Sequence, residues 1–240
     1  MALDRCAPTV KALGHDAILS ILPELYDLRS MASVEIGGRS SAAQLASGQA
    51  GALVMAQHRV CPWWVGYILA SPVRKLWQNP ARILGPFVQP GMAVLEPGPG
   101  MGFFTLELAR LVGPKGRVVA VDVEPKMIAG LRRRAERAGL SDRLEARVTP
   151  ATTMGLDGDK QGFNLVVAFA VVHEMPSAAT FFAEAARAMK PGAKLLLAEP
   201  SGHIEQEEFD GELALAAHNG LFVTERPATF GGLGAVLTKS

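Results

Sequence analysis

A chain of 240 residues, 49% hydrophobic and 20% charged, has enough apolar surface for one large domain or a domain with an appendage, and too much to stay disordered. Its net charge of +1 gives no global attraction to nucleic acid or to an acidic surface. Two cysteines, Cys6 and Cys61, make neither a disulfide framework nor a metal-ligand spacing, so a cytoplasmic setting is expected. The longest apolar run, Leu165 to Val172, falls far short of the roughly 20 residues a membrane helix needs, and no charged-then-apolar export signal is seen.

Residues 1–57 read as an N-terminal helical and linker segment. Ile18, Leu22, Leu25 and Leu28 fall at helical spacing, whereas Ile36 to Gly51 is rich in Gly, Ser and Ala. A cap, a dimer arm and partial disorder all stay open for it, which leaves room for a homodimer. A domain over residues 58–240 follows, with an aromatic lead-in at 58–90 and a core at 91–240. The lead-in crowds Trp63, Trp64 and Tyr67 into five positions. Rigid amphipathic rings suit the wall of a substrate pocket, and equally a helix packed on the domain core.

The stretch Val94-Leu95-Glu96-Pro97-Gly98-Pro99-Gly100-Met101-Gly102 organises the rest. An apolar strand ends in an acid, three alternate glycines form a turn, and a helix opens at Gly102 with Phe104, Leu108, Leu111 and Val112 on one face. Glycines serve where backbone takes positive φ or lies against a ligand, and a helix start offers N–H groups to an anion. A second strand, Val118 to Val121, ends in Asp122, placed to accept hydrogen bonds from ribose hydroxyls. The dinucleotide spacing G-x-G-x-x-G fails, because Phe103 stands where its third glycine would be.

Pro125 opens a helix that buries Met127, Ile128, Leu131, Ala135 and Ala138 and turns Arg132, Arg133, Arg134 and Arg137 to solvent. Strands follow at 143–148 and 163–168, then a helix from Ser177 to Lys190 stopped by Pro191-Gly192, a strand at 193–198, and a helix near 205–218 that buries Phe209, Leu213, Ala216 and Ala217. Leu221 to Glu225 and Ala235 to Thr238 are separated by nine residues, too few for a crossover helix, so these two strands pair antiparallel. The fold class is α/β: a Rossmann-like, seven-stranded, mostly parallel sheet with an antiparallel last strand and helices on both faces.

The spacing Glu96-x-Gly98-x-Gly100-x-Gly102, with Asp122 and the terminal hairpin, resembles the class I S-adenosylmethionine-dependent methyltransferases over residues 90–240. The resemblance implies S-adenosyl-L-methionine as cofactor, with Glu96 toward its methionine end, Gly98, Pro99, Gly100 and Gly102 beneath it, and Asp122 on its ribose. It extends the cofactor contacts to Val123, Met127 and Phe169. Thr149-Pro150-Ala151-Thr152 lacks the acid that often binds adenine in this family.

After the fourth strand the chain reads Ala170-Val171-Val172-His173-Glu174-Met175, without the Asn/Asp-Pro-Pro-aromatic stretch common in enzymes that methylate amino groups of bases or glutamine. That points to a small-molecule acceptor. His173 is the candidate general base and Glu174 its orienting partner, with His203 beside the acceptor. Helix capping by His173 is the competing reading. His173, Glu174, Glu199 and His203 have no dedicated metal-ligand spacing, so no metal is expected. The alternatives in function are a non-catalytic binder of the cofactor or its demethylated product, and an NAD-dependent oxidoreductase.

Overall fold

The computed structural model describes residues 74, 78–200, 202, 204–230 and 233–240. Residues 1–57, and Trp63, Trp64, Tyr67 and His203, lie outside the described residues. The elements in order are α1 (Pro80–Leu84), β1 (Ala93–Pro97), α2 (Thr105–Leu111), β2 (Arg117–Asp122), α3 (Pro125–Arg137), β3 (Leu144–Val148), β4 (Phe163–Phe169), α4 (Ala178–Ala188), β5 (Met189–Glu199), α5 (Gln206–His218), β6 (Leu221–Glu225) and β7 (Leu233–Lys239).

The seven strands form one sheet in the order β3-β2-β1-β4-β5-β7-β6. The first five run parallel, and β7 enters between β5 and β6, antiparallel to both. The short connection between β6 and β7, residues 226–232, requires that reversal. The central strands are apolar on both sides. Along β4 and β5, Val166, Ala168, Leu195 and Leu197 pack toward Phe181, Phe182, Phe209 and Leu213, while Leu165, Val167 and Leu196 pack toward Ile83, Leu108, Ile128 and Leu131. Thus α4 and α5 cover one face and α1 to α3 the other, each fully buried Leu, Val or Phe contributing about 1.5–3 kcal/mol. The order of strands changes direction between β1 and β4, and in such sheets the crevice beyond the strand ends there is the ligand site.

Local chemistry sets the helix ends. Asn79 Oδ1 accepts from the N–H groups of Ala81 (3.0 Å) and Arg82 (3.4 Å), so Asn79-Pro80 starts α1, an element the sequence did not suggest. Glu124 caps α3, with Pro125 in its first turn, and Ser177 caps α4.

Several boundaries differ from expectation. The α2 helix opens at Thr105, because Met101 to Phe104 form turns after the glycine loop. The α4 helix ends at Ala188, before Pro191-Gly192, because Met189 already pairs with Phe163 as the first residue of β5. Lys239 Nζ donates to the carbonyls of Ala186 (2.6 Å) and Met189 (2.7 Å), satisfying backbone there. Ala138 is exposed past the end of α3, and Ala217 is only partly buried. The arginine face of α3 is not wholly solvated either: Arg132 donates to Ala146 O and Arg134 to Met101 O, tying the helix to β3 and to the glycine loop.

Candidate active site

The glycine loop leaves β1 at the switch point, and its three glycines do different work. All take positive φ: 62° at Gly98, 53° at Gly100 and 85° at Gly102. A Cβ on Gly98 would lie 2.4 Å from Val171 Cγ2, and one on Gly102 would lie 2.4 Å from Leu131 Cδ1. Those two positions are glycine so that the β4 loop and α3 can close on the loop. A Cβ on Gly100 would meet nothing within 4 Å. Gly100 alone faces open space, and there a ligand can lie against bare backbone.

Glu96 sits beneath the loop with only 4% of its surface exposed, and its Oε2 has no hydrogen-bond partner among the described residues. Burial pushes its pKa up to about 8; nearby Thr105 opposes the rise and the Asp122 charge adds to it. The Thr105 hydroxyl is also buried and has no hydrogen-bond partner among the described residues. An orphaned, buried carboxyl oxygen is costly unless something cationic or hydrogen-donating reaches it. Asp122, at the end of β2, is half-buried. Its Oδ1 accepts from the Glu124 N–H at 2.9 Å. Burial raises its pKa, against the lowering effect of N–H groups of Glu124, Gly100 and Val123. Val123 is 38% exposed beside it, and Met127 is buried in the first turn of α3.

Phe103, where a dinucleotide site would need glycine, is buried under the Arg74 guanidinium, 4.3 Å from the ring centroid. It meets Phe104 edge-on at 5.0 Å, and Phe104 in turn meets Phe169 at 4.9 Å and 75°. Phe169 also lies 5.3 Å from Phe230. These rings join the glycine loop to the ends of β4 and β7.

Beyond Phe169, Ala170 takes φ 55°, a sterically costly value for a residue with a side chain. Its N–H is held by Ala198 O at 2.7 Å. The turn carries Val171 onto Gly98 and leads into a short 3₁₀ segment, Val172–Glu174. There Glu199, fully buried at the end of β5, accepts from the Val172 N–H at 2.8 Å through Oε1 and bonds His173 Nδ1 through Oε2.

The partner that orients His173 is therefore Glu199, not the adjacent Glu174 expected from sequence. Neighbours in a chain point apart, whereas strand ends from different crossovers converge. Burial pulls the His173 pKa down, but the bond and charge of Glu199, helped by Glu174 and Glu212, outweigh it, and the net shift is upward. Burial raises Glu174, with His173 opposing.

Glu212 was missed. It interrupts the apolar stripe of α5, and the acid-rich composition of that segment hid it among solvated neighbours. It is buried, and burial, then the charge of Glu199, raise its pKa to about 7. Among the described residues no group of three or more His, Cys, Asp or Glu is arranged to hold a metal ion. Nor is any helix among them long and apolar enough to cross a membrane.

A glycine loop at the switch point, an acid ending each of the first two strands, and a reversed β7 define a nucleoside-cofactor α/β protein of the methyltransferase type. Residues 88–224 match the family described as "Methyltransferase domain", and the chain belongs to that family, whose cofactor is S-adenosylmethionine. The fold is also that of a SAM-dependent methyltransferase from Aquifex aeolicus, with a TM-score of 0.65 at 22% identity, covering 75% of this chain and 100% of that one. The chain is 31% identical over 145 residues to a ubiquinone biosynthesis O-methyltransferase of Methylocella silvestris, covering 60% of this chain and 54% of that protein. It is 48% identical over 58 residues to a catechol O-methyltransferase of Mycobacterium tuberculosis, 24% of this chain and 26% of that one. The chain thus spans about half or less of the length of these two curated relatives.

The cofactor fits the residues present. Its ammonium matches the orphaned carboxyl oxygen of Glu96, its body matches the open side of Gly100, and its ribose matches the half-buried carboxylate of Asp122.

Proposed function

We propose that this protein transfers a methyl group from S-adenosylmethionine to a hydroxyl of a small-molecule acceptor, with His173 as general base. The observation that carries the reading is the bond between His173 Nδ1 and the buried Glu199 carboxylate, beside a loop built for the cofactor. Donation from Nδ1 to Glu199 leaves the lone pair on Nε2, the tautomer a base needs. As the acceptor proton moves to Nε2, the Glu199 charge stabilises the imidazolium that forms, and the upward shift of His173 expresses that stabilisation.

Glu96, Gly98, Pro99, Gly100 and Gly102 hold the methionine end, Asp122 the ribose, and Val123, Met127 and Phe169 flank the nucleoside. When bound, the cofactor supplies an electrophilic methyl group on a sulfonium. The protein's share is to align the acceptor oxygen, exclude water and take one proton. Trp63, Trp64, Tyr67 and His203 complete the acceptor wall in this reading, and Glu174 adds negative charge beside the base. The relatives named for catechol and ubiquinone O-methylation support a hydroxyl acceptor. The balanced charge and the cysteine usage support a cytoplasmic enzyme that acts without nucleic acid.

Calorimetry with S-adenosylhomocysteine and NAD tests the cofactor; NAD binding more tightly would sink the reading. With an acceptor in hand, His173→Gln is expected to lower turnover by roughly 100-fold or more at unchanged cofactor affinity. Near-normal turnover in that variant would leave a protein that relies on proximity alone, or one that binds without catalysing.

A further inference from the structure

The base and the cofactor loop leave one buried acid without a task. Glu212 lies in the covered stripe of α5 with Phe209, Leu213 and Ala216, and 8% of its surface is exposed. Its Oε2 meets no hydrogen-bond partner among the described residues. An apolar residue would fill that place and spare the fold the desolvation of a carboxyl. The charges that act on Glu212 are those of Glu199, His173 and, at the exposed end of its own helix, Glu208. Glu199 stands on the sheet face that α5 covers, two residues after Leu197, which packs in the same cluster as Phe209 and Leu213.

The other carboxylates near the glycine loop and His173 share this bias. Glu96, Asp122, Glu174 and Glu212 all have raised pKa values, burial being the largest cause for each. Among the described residues the charges acting on them are other carboxylates and His173, with no Lys or Arg. Glu199 bonds the His173 imidazole, and Glu212 acts on it through its charge alone. Glu96 is spoken for by the cofactor's ammonium and Glu199 by His173. Glu212 is the acid left for the acceptor.

We propose that Glu212 is an acceptor-binding residue, and that it makes the site select a hydroxyl-bearing small molecule that carries an ammonium group and reject one that carries a carboxylate. The proposal rests on the methyltransferase reading above and names its substrate class. An ammonium donating to Glu212 Oε2 satisfies the orphaned oxygen and offsets the like charge of Glu199. A carboxylate in the same place would meet Glu174, Glu199 and Glu212 in a water-poor site, where repulsion between like charges is strongest.

The test uses the full chain saturated with S-adenosylhomocysteine and three catechols of similar size and different charge: 3,4-dihydroxyphenethylamine, 4-methylcatechol and 3,4-dihydroxyphenylacetate. Calorimetry is expected to rank the amine above the neutral catechol by about tenfold in affinity, with the acid weakest. Amine binding near pH 7 should release a proton from Glu212, visible as a buffer-dependent heat. Glu212→Gln, which keeps the shape and removes the charge, should erase the amine's advantage and the proton release without lowering melting temperature or S-adenosylhomocysteine affinity. Glu212→Asp should keep part of the advantage.

Equal affinity for amine and acid, no binding of the amine, or an advantage that survives Glu212→Gln each overturns the proposal. Any of these with S-adenosylhomocysteine still bound leaves the methyltransferase reading standing. Failure to bind S-adenosylhomocysteine takes both down.

Discussion

The two sides of the cleft are built by opposite means. On the proposed cofactor side the site is local, a loop with three positive-φ glycines flanked by one acid at each of two adjacent strand ends, all between Glu96 and Asp122. On the proposed acceptor side it lies in side chains: His173 after β4, bonded to Glu199 at the end of β5, with Glu212 inside α5. Backbone is held in place by the sheet itself, so the first side tolerates little change in shape. The second depends on charges that must be balanced against one another, so it responds to pH.

Substitution at the glycines is the hardest blow to the first side, and it also separates two kinds of glycine. Gly100→Val should reduce S-adenosylhomocysteine affinity by more than about 100-fold with a folded protein remaining, because the added side chain points into the open space proposed for the ligand. Its backbone strain should cost about 1–2 kcal/mol of stability. Gly98→Ala and Gly102→Ala should instead lower melting temperature, by the equivalent of about 1–3 kcal/mol, since their Cβ atoms strike Val171 and Leu131. If Gly100→Val melts early and binds normally, the division between ligand-facing and fold-facing glycines is wrong.

On the acceptor side, the effect to measure is a displacement along the pH axis. A base must be neutral, and His173 is held above its usual pKa of about 6.5, so turnover should climb with pH along a limb above that value. Glu199→Gln removes the hydrogen-bonding charge and should move the limb to lower pH, with a fall in maximal turnover of about 10-fold as the imidazolium loses its support. A limb that stays where it was would show that Glu199 acts on the fold and not on the base. The same shift carries a stability signature. The His173–Glu199 pair contributes fully below the unfolded pKa of His, and that contribution is lost as pH rises through the folded value.

A further pH effect concerns Glu96, whose sign matches that of His173 for a different reason. Its folded pKa, about 8, lies above its ordinary value of 4.5 because the protein buries it. The folded state therefore keeps a proton that the unfolded chain releases, and stability should fall as pH rises from about 4.5 through 8. Glu96→Gln should flatten that slope of melting temperature against pH, and so should saturation with the cofactor product, whose ammonium stabilises the charged form. A slope unchanged by both would mean the Glu96 carboxyl is not the group that titrates.

How much of this was legible depended on how far apart in sequence the pieces lie. The strand, loop and acid from Val94 to Asp122 are contiguous, and a local pattern of apolar runs, glycines and one acid specifies them. The reversed β7 was legible as well, because nine residues between two strands leave a hairpin as the only connection. Boundaries were less so: α4 stops at Ala188 through strand pairing of Met189 with Phe163, a long-range contact that overrides the Pro191-Gly192 signal.

Sequence alone thus determined the class of fold, the glycine loop and the two strand-end acids, since short-range sterics and apolar periodicity act within a few turns of chain. It could single out His173 but not its partner. Only the tertiary structure decided that Glu199, 26 residues downstream, and not the adjacent Glu174, meets the imidazole. It also decided that Glu212 is buried while its acidic neighbours Glu207, Glu208 and Asp210 stay in water. The physical reason is that desolvation and charge pairing are properties of a place in space, set by which strand ends and which helix face converge there.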